Sequence, residues 1–93
     1  ILYRKGDLDG AVAAYRETIR LDPTLVVAHT NLGHVLRKQG RLVEAVAMLR
    51  KGHELGSKQP GWNSPSAKWV ADCELEMARK GLIAPPPREA TRP

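Results

Sequence analysis

Apolar residues recur three and four positions apart along most of this chain, and polar residues fill the positions between them. Leu8, Ala11, Val12, Tyr15, Ile19 and Leu21 form one such stripe. Leu25, Ala28, Leu32, Val35 and Leu36 form a second, and Leu42, Ala45, Val46 and Leu49 a third. Trp69, Val70, Cys73, Met77 and Ala78 form the last. This period belongs to amphipathic helices that each bury one face. Breakers separate the stripes: Asp22-Pro23, Gln39-Gly40-Arg41, a loop at 58–65 rich in Gly, Pro, Ser and Asn, and Gly81. The pattern predicts an all-α chain.

Several details follow from local chemistry. Ile1 to Lys5 reads as the tail of a helix, with Gly6 in the turn after it and Asp7 or Asp9 capping the next helix. Gly33 lies inside a helical stripe, where it costs about 1 kcal/mol of propensity relative to Ala. Gly33 and Gly52 are therefore expected where another helix comes close. Ser64 ahead of Pro65 predicts a cap followed by proline in the first turn of a helix reaching about Lys80. Trp69 is expected to anchor that helix, and Cys73 between Trp69 and Met77 to act as a small buried hydrophobe. Four prolines in 84–93 predict an extended, disordered tail.

The first and third stripes also match each other in sequence. Leu2, Gly6, Leu8, Ala11, Val12, Ala13, Arg16 and Leu21 recur 34 residues later as Leu36, Gly40, Leu42, Ala45, Val46, Ala47, Arg50 and Leu55. Eight identities in twenty aligned pairs compare with about one or two by chance. The second unit carries Asn31-Leu32-Gly33, then Gly40-Arg41-Leu42-Val43-Glu44-Ala45, then Gly52. The first carries Gly6-Asp7-Leu8-Asp9-Gly10-Ala11, Tyr15 and Leu21-Asp22-Pro23. These residues and the 34-residue period resemble the tetratricopeptide repeat, a helix–turn–helix unit. The resemblance spans roughly residues 1–57. His29 stands where the family has an early aromatic, Leu49 where it has a late one, and Ser57 where it has a closing proline. The expected layout is a partial repeat unit at 1–25, a complete unit at 26–59, a loop and capping helix at 60–83, and the tail at 84–93.

The resemblance implies antiparallel helical hairpins of a right-handed superhelix, with a non-catalytic role in binding a peptide or protein partner. A further stretch, Gly56-Ser57-Lys58-Gln59-Pro60-Gly61-Trp62-Asn63-Ser64-Pro65-Ser66-Ala67-Lys68-Trp69-Val70, resembles the segment that ends repeat regions in planctomycete-type bacterial proteins. Many of those carry a serine/threonine kinase domain upstream. The opening inside a repeat suggests a piece of a longer protein, and an apolar face of 8–21 lacking part of its partner suggests marginal stability.

In this family the first helix of each repeat lines the groove. The groove-facing residues follow from helix geometry without the family. At about 100° per residue from Thr30, Arg37 falls near −20°, His34 near 40°, Val27 near 60°, Lys38 near 80° and Asn31 near 100°. All six share an arc of about 120° opposite Leu32, Val35 and Leu36. Two cations, an amide, a hydroxyl and an imidazole on one face suit a carboxylate, either in an acidic peptide or at a free C-terminus. Asn31 matches an asparagine that some family members use to hold a terminal carboxylate. The competing interpretation of this stripe is an ordinary solvated face.

Composition narrows the alternatives. The net charge of +5 admits acidic partners, nucleic acid among them. The basic stripe is short and lacks interleaved aromatics, which disfavours single-strand binding. One cysteine excludes an internal disulfide and leans towards a reducing, cytoplasmic setting. No apolar run reaches the roughly 18 residues a membrane span needs. His29, His34 and His53 have no ligand spacing, so no metal is expected. No phosphate loop, kinase motif or activated nucleophile is present, so neither a catalytic residue nor a cofactor is expected. A structural spacer closing a longer repeat array remains the alternative to a peptide binder.

Overall fold

The computed structural model describes residues 5–83. The expectations for 1–4 and for the tail at 84–93 lie outside them. Four helices follow in order: α1 (Lys5–Leu21), α2 (Val26–Lys38), α3 (Leu42–Gly56) and α4 (Ser66–Arg79). Each packs on the next, α1 on α2, α2 on α3 and α3 on α4.

α1 ends as Asp22-Pro23 predicts. The Asp22 carboxylate accepts hydrogen bonds from the backbone N–H of Thr24 at 3.1 Å and from its hydroxyl at 2.8 Å, which turns the chain towards α2. His29 then ties α2 back to this corner. It is 4% exposed, and its Nε2–H donates to the Pro23 carbonyl at 2.8 Å. A carbonyl can only accept, so that nitrogen carries the proton.

α2 and α3 are joined by a short turn at 39–41. The Arg41 N–H reaches the Leu36 carbonyl at 2.9 Å and the Gly40 N–H reaches Arg37 at 3.0 Å. This closure needs a left-handed residue after the helix, and Gly40 supplies it at φ +79°. α4 ends the same way: Leu82 N–H donates to Met77 and Gly81 N–H to Ala78, with Gly81 at φ +75°.

The core runs through all four helices: Val12 from α1, Leu32 and Leu36 from α2, Leu42, Ala45, Val46 and Leu49 from α3, and Cys73 and Met77 from α4. Each fully buried Leu contributes about 1.5–3 kcal/mol by leaving water. Gly33 of α2 and Gly52 of α3 sit where these two helices touch. A Cβ on Gly33 would lie 2.7 Å from Leu49, and one on Gly52 would lie 2.6 Å from the Thr30 hydroxyl. Their propensity cost is the cost of this close approach.

The α3–α4 corner is closed by Trp62, whose ring fills the space a Cβ on Gly56 would take. Its indole N–H donates to the Ser66 hydroxyl at 3.3 Å, and that hydroxyl lies 2.7 Å from His53 Nδ1. Ser66 is 1% exposed, so these contacts satisfy a polar group that has left water. The Cys73 thiol faces the Leu42 carbonyl at 3.8 Å, and burial raises its pKa. Arg50 pairs with Glu74 across the same interface.

Several local expectations need correction. Gly6 is not in a turn. It is exposed, a Cβ there would meet nothing within 4 Å among the described residues, and it lies in the first turn of α1. Asp7 and Asp9 therefore lie within α1 rather than capping it; Asp9 instead accepts a hydrogen bond from Gln39 at 2.6 Å. Leu21 is 70% exposed and Leu25 41%, while Val26 is buried, because Leu21 is the last residue of α1 and Leu25 the N-cap of α2, at the ends of the packed turns. Pro65, not Ser64, holds the N-cap position of α4, with no side-chain cap. Trp69 is only partly buried. Cys73 and Met77 anchor α4.

Candidate functional site

The six candidate residues lie along α2, on the side that α4 borders. α4 comes alongside because its Cys73 and Met77 are buried in the core shared with α2 and α3, and their spacing ahead of the closing glycine repeats that of Leu32 and Leu36. Met77 stands four residues before Gly81, as Leu36 stands four before Gly40. Two side chains of α4 then reach α2. The Trp69 ring meets His34 edge-on, with centroids 4.7 Å apart and planes at 80°. Glu76 accepts a hydrogen bond from Arg37 Nε at 2.9 Å.

The surface on either side of the His34–Trp69 contact forms two depressions. One, of about 430 Å³, is lined by His34, Arg37, Lys38 and Glu76. The other, of about 200 Å³, is lined by Val26, Val27, Thr30, Asn31, Trp62, Ser64 and Trp69. The six candidates thus divide into His34, Arg37 and Lys38 at the C-terminal end of α2 and Val27, Thr30 and Asn31 at its N-terminal end. Thr30 has a packing role as well, since its hydroxyl covers Gly52 of α3. Val27 is 61% exposed, and Lys38 is exposed.

Arg37 is half-buried and ion-paired. It is less exposed than the helix arc alone suggests. Glu76 also lies 3.8 Å from Lys80 Nζ, so the charged depression contains its own carboxylate. The sequence gives no local sign of this pair, whose members are 39 residues apart. Trp62, Ser64, Trp69 and Glu76 are absent from the candidate set for the same reason. The available clue is the Cys73/Met77/Gly81 spacing, which marks α4 as a second helix of the α2 kind.

His34 has its pKa lowered, first by burial and then by the positive charges of Arg37 and Lys38. A base with a lowered folded pKa binds fewer protons folded than unfolded. Its contribution to stability is whole above the unfolded value of about 6.5 and is lost as pH falls through the lower folded value. Melting temperature should therefore fall on acidification, and His34→Gln should flatten part of that slope. An unchanged difference between parent and variant from about pH 7 to 5 would contradict this. Among the described residues no group of three or more His, Cys, Asp or Glu could hold a metal, and no helix is long and apolar enough to cross a membrane.

Two family models match the sequence of this chain. One, described as a TPR repeat, matches residues 1–40. Another, described as a tetratricopeptide repeat, matches residues 26–55. The chain belongs to the tetratricopeptide-repeat family. No curated protein and no solved structure matches it. Tetratricopeptide repeats mediate protein–protein interaction and are typically non-catalytic scaffolds. In this repeat protein α2 and α3 form a hairpin about the Gly40 turn, and α4 covers α3.

Proposed function

We propose that this repeat protein binds an acidic segment of a partner protein along α2, with Asn31, His34, Arg37 and Lys38 as the polar contacts and Val27 and Thr30 beside them. The observation that carries this is the depression lined by His34, Arg37, Lys38 and Glu76, where one carboxylate faces two cationic side chains and an imidazole. An incoming carboxylate would gain charge-assisted hydrogen bonds there. It would also compete with Glu76 for Arg37, which keeps the expected affinity weak, about −8 kcal/mol or less favourable. α4 serves at the same time as the end-cap of the repeat stack, since its buried Cys73 and Met77 cover α3. An intracellular setting, and a place as the interaction arm of a larger bacterial protein such as a kinase, go with this proposal.

The test is a titration with an end-capped acidic peptide library. Replacing Arg37 and Lys38 together with Ala should weaken binding, and raising salt to 1 M, where the Debye length is about 3 Å, should weaken it further. Glu76→Gln should strengthen binding by about 0.5–1 kcal/mol, because it releases Arg37 and removes a like charge. Lowering pH should also strengthen it, beginning below the ordinary imidazole range because His34 is shifted down. Equal binding by parent and double variant at every salt concentration would make the stripe a solvated face. Preference for single-stranded RNA over every peptide would favour a nucleic-acid role instead.

A further inference from the structure

The charged and apolar depressions are neighbours on one helix, parted only by the His34–Trp69 contact. Resting on the acidic-segment proposal, we infer that they form one bipartite groove, whose occupant is an extended peptide with a large apolar residue and an Asp or Glu side chain four positions apart. The apolar residue sits between Val27, Trp62 and Trp69, and the carboxylate sits at Arg37 and Lys38.

The apolar end has the features of a socket. Its volume of about 200 Å³ equals the share of about six or seven water molecules in the liquid, which is room for one large side chain. Val27 is 61% exposed and gains by being covered. Trp62 is fixed from behind by Gly56 and by its hydrogen bond to buried Ser66, so one wall is rigid before any ligand arrives. Such preorganisation lowers the ordering cost of binding. The other end is chosen by charge, because the two cations there complement an acid and repel a base.

Spacing follows from helix rise. The α2 residues of the apolar depression centre near 28–29 and those of the charged one near 36. That is about eight residues, or about 12 Å at 1.5 Å per residue. An extended chain covers this in about four residues at 3.3 Å each. Side chains four apart in an extended chain also point to the same side, whereas three apart they point to opposite sides. The charged depression is the larger, with space for passing backbone as well as a side chain. The occupant is therefore an internal acidic residue, and not a chain terminus.

The experiment uses acetylated, amidated peptides, whose only carboxylate is a side chain, titrated into the 93-residue chain. Leu or Phe is placed three, four or six residues from Glu, in both chain directions, with a peptide lacking the apolar residue as reference. Both tryptophans of the chain line the socket, so intrinsic emission reports its occupation. The expected result is tighter binding by about fivefold or more at a spacing of four in one direction, with a change in tryptophan emission that the reference peptide does not cause. Val27→Asp, at an exposed position where folding is not at stake, should abolish the preference for the apolar residue. Acidic peptides that bind equally with and without the apolar residue, with unchanged emission, would overturn the bipartite groove and leave the acidic-segment proposal standing. Equal affinity at all spacings would also overturn it. No binding by any peptide would overturn both proposals.

Discussion

Leu49→Ala is expected to destabilise the protein by about 2–5 kcal/mol, and Gly33→Ala is expected to offset part of that loss. Leu49 is 1% exposed and fills the space left by the missing side chain of Gly33, 2.7 Å from where a Cβ would stand. Gly33→Ala alone gains about 1 kcal/mol of helix propensity but overpacks this contact, at a typical cost of 1–3 kcal/mol. Once Leu49 is truncated, the added methyl enters vacated volume, with the Ala45 carbonyl 3.2 Å away as its remaining close neighbour, and part of the propensity gain remains. Urea unfolding of parent, single variants and double variant should give a coupling of about 0.5–3 kcal/mol. Strict additivity would mean that α2 and α3 do not approach through this pair.

The second large effect concerns α4. Met77 is 4% exposed and Cys73 is fully buried, whereas Trp69 is partly buried and meets His34 edge-on. Met77→Ala should therefore cost about 2–5 kcal/mol and release α4 from α3. Trp69→Ala should cost less than the 3–5 kcal/mol expected for a wholly buried aromatic, because part of the indole stays in water. Hydrogen exchange distinguishes the two: Met77→Ala should strip protection from α4 amides while α2 and α3 keep theirs. A larger loss from Trp69→Ala would make the indole the anchor after all.

These residues also show what could be read from sequence. The apolar faces of α2 and α3 were legible because Leu32, Leu36, Leu42, Ala45, Val46 and Leu49 follow a strict helical period and all are buried. Gly33 and Gly52 were legible because a glycine inside a helix has a known cost and few reasons to be there. Helix ends were less so. The 34-residue match transfers the Gly40 turn to Gly6, yet a glycine only permits a turn, and Gly6 lies in the first turn of α1. At the site, helix geometry put the six candidates on one side of α2. It could not show that Glu76 reaches Arg37, because that contact depends on how α4 returns across the stack, or that Trp62 closes over Gly56, because that depends on the path of the irregular loop after α3. Trp69 was overestimated for the same reason, since its burial depends on where α2 lies relative to α4.

The most direct test of groove binding is a residue-resolved one. Amide and indole resonances of the ¹⁵N-labelled protein should be followed while an end-capped peptide with Leu and Glu four residues apart is added. Shifts should concentrate on Val27, Asn31, His34, Arg37 and Lys38, on the amides of Trp69 to Lys80, and on both indole N–H groups. Shifts confined to the outer surface of α1 and α3, around Arg16, Arg41, Arg50 and Lys51, would contradict a binding groove between α2 and α4.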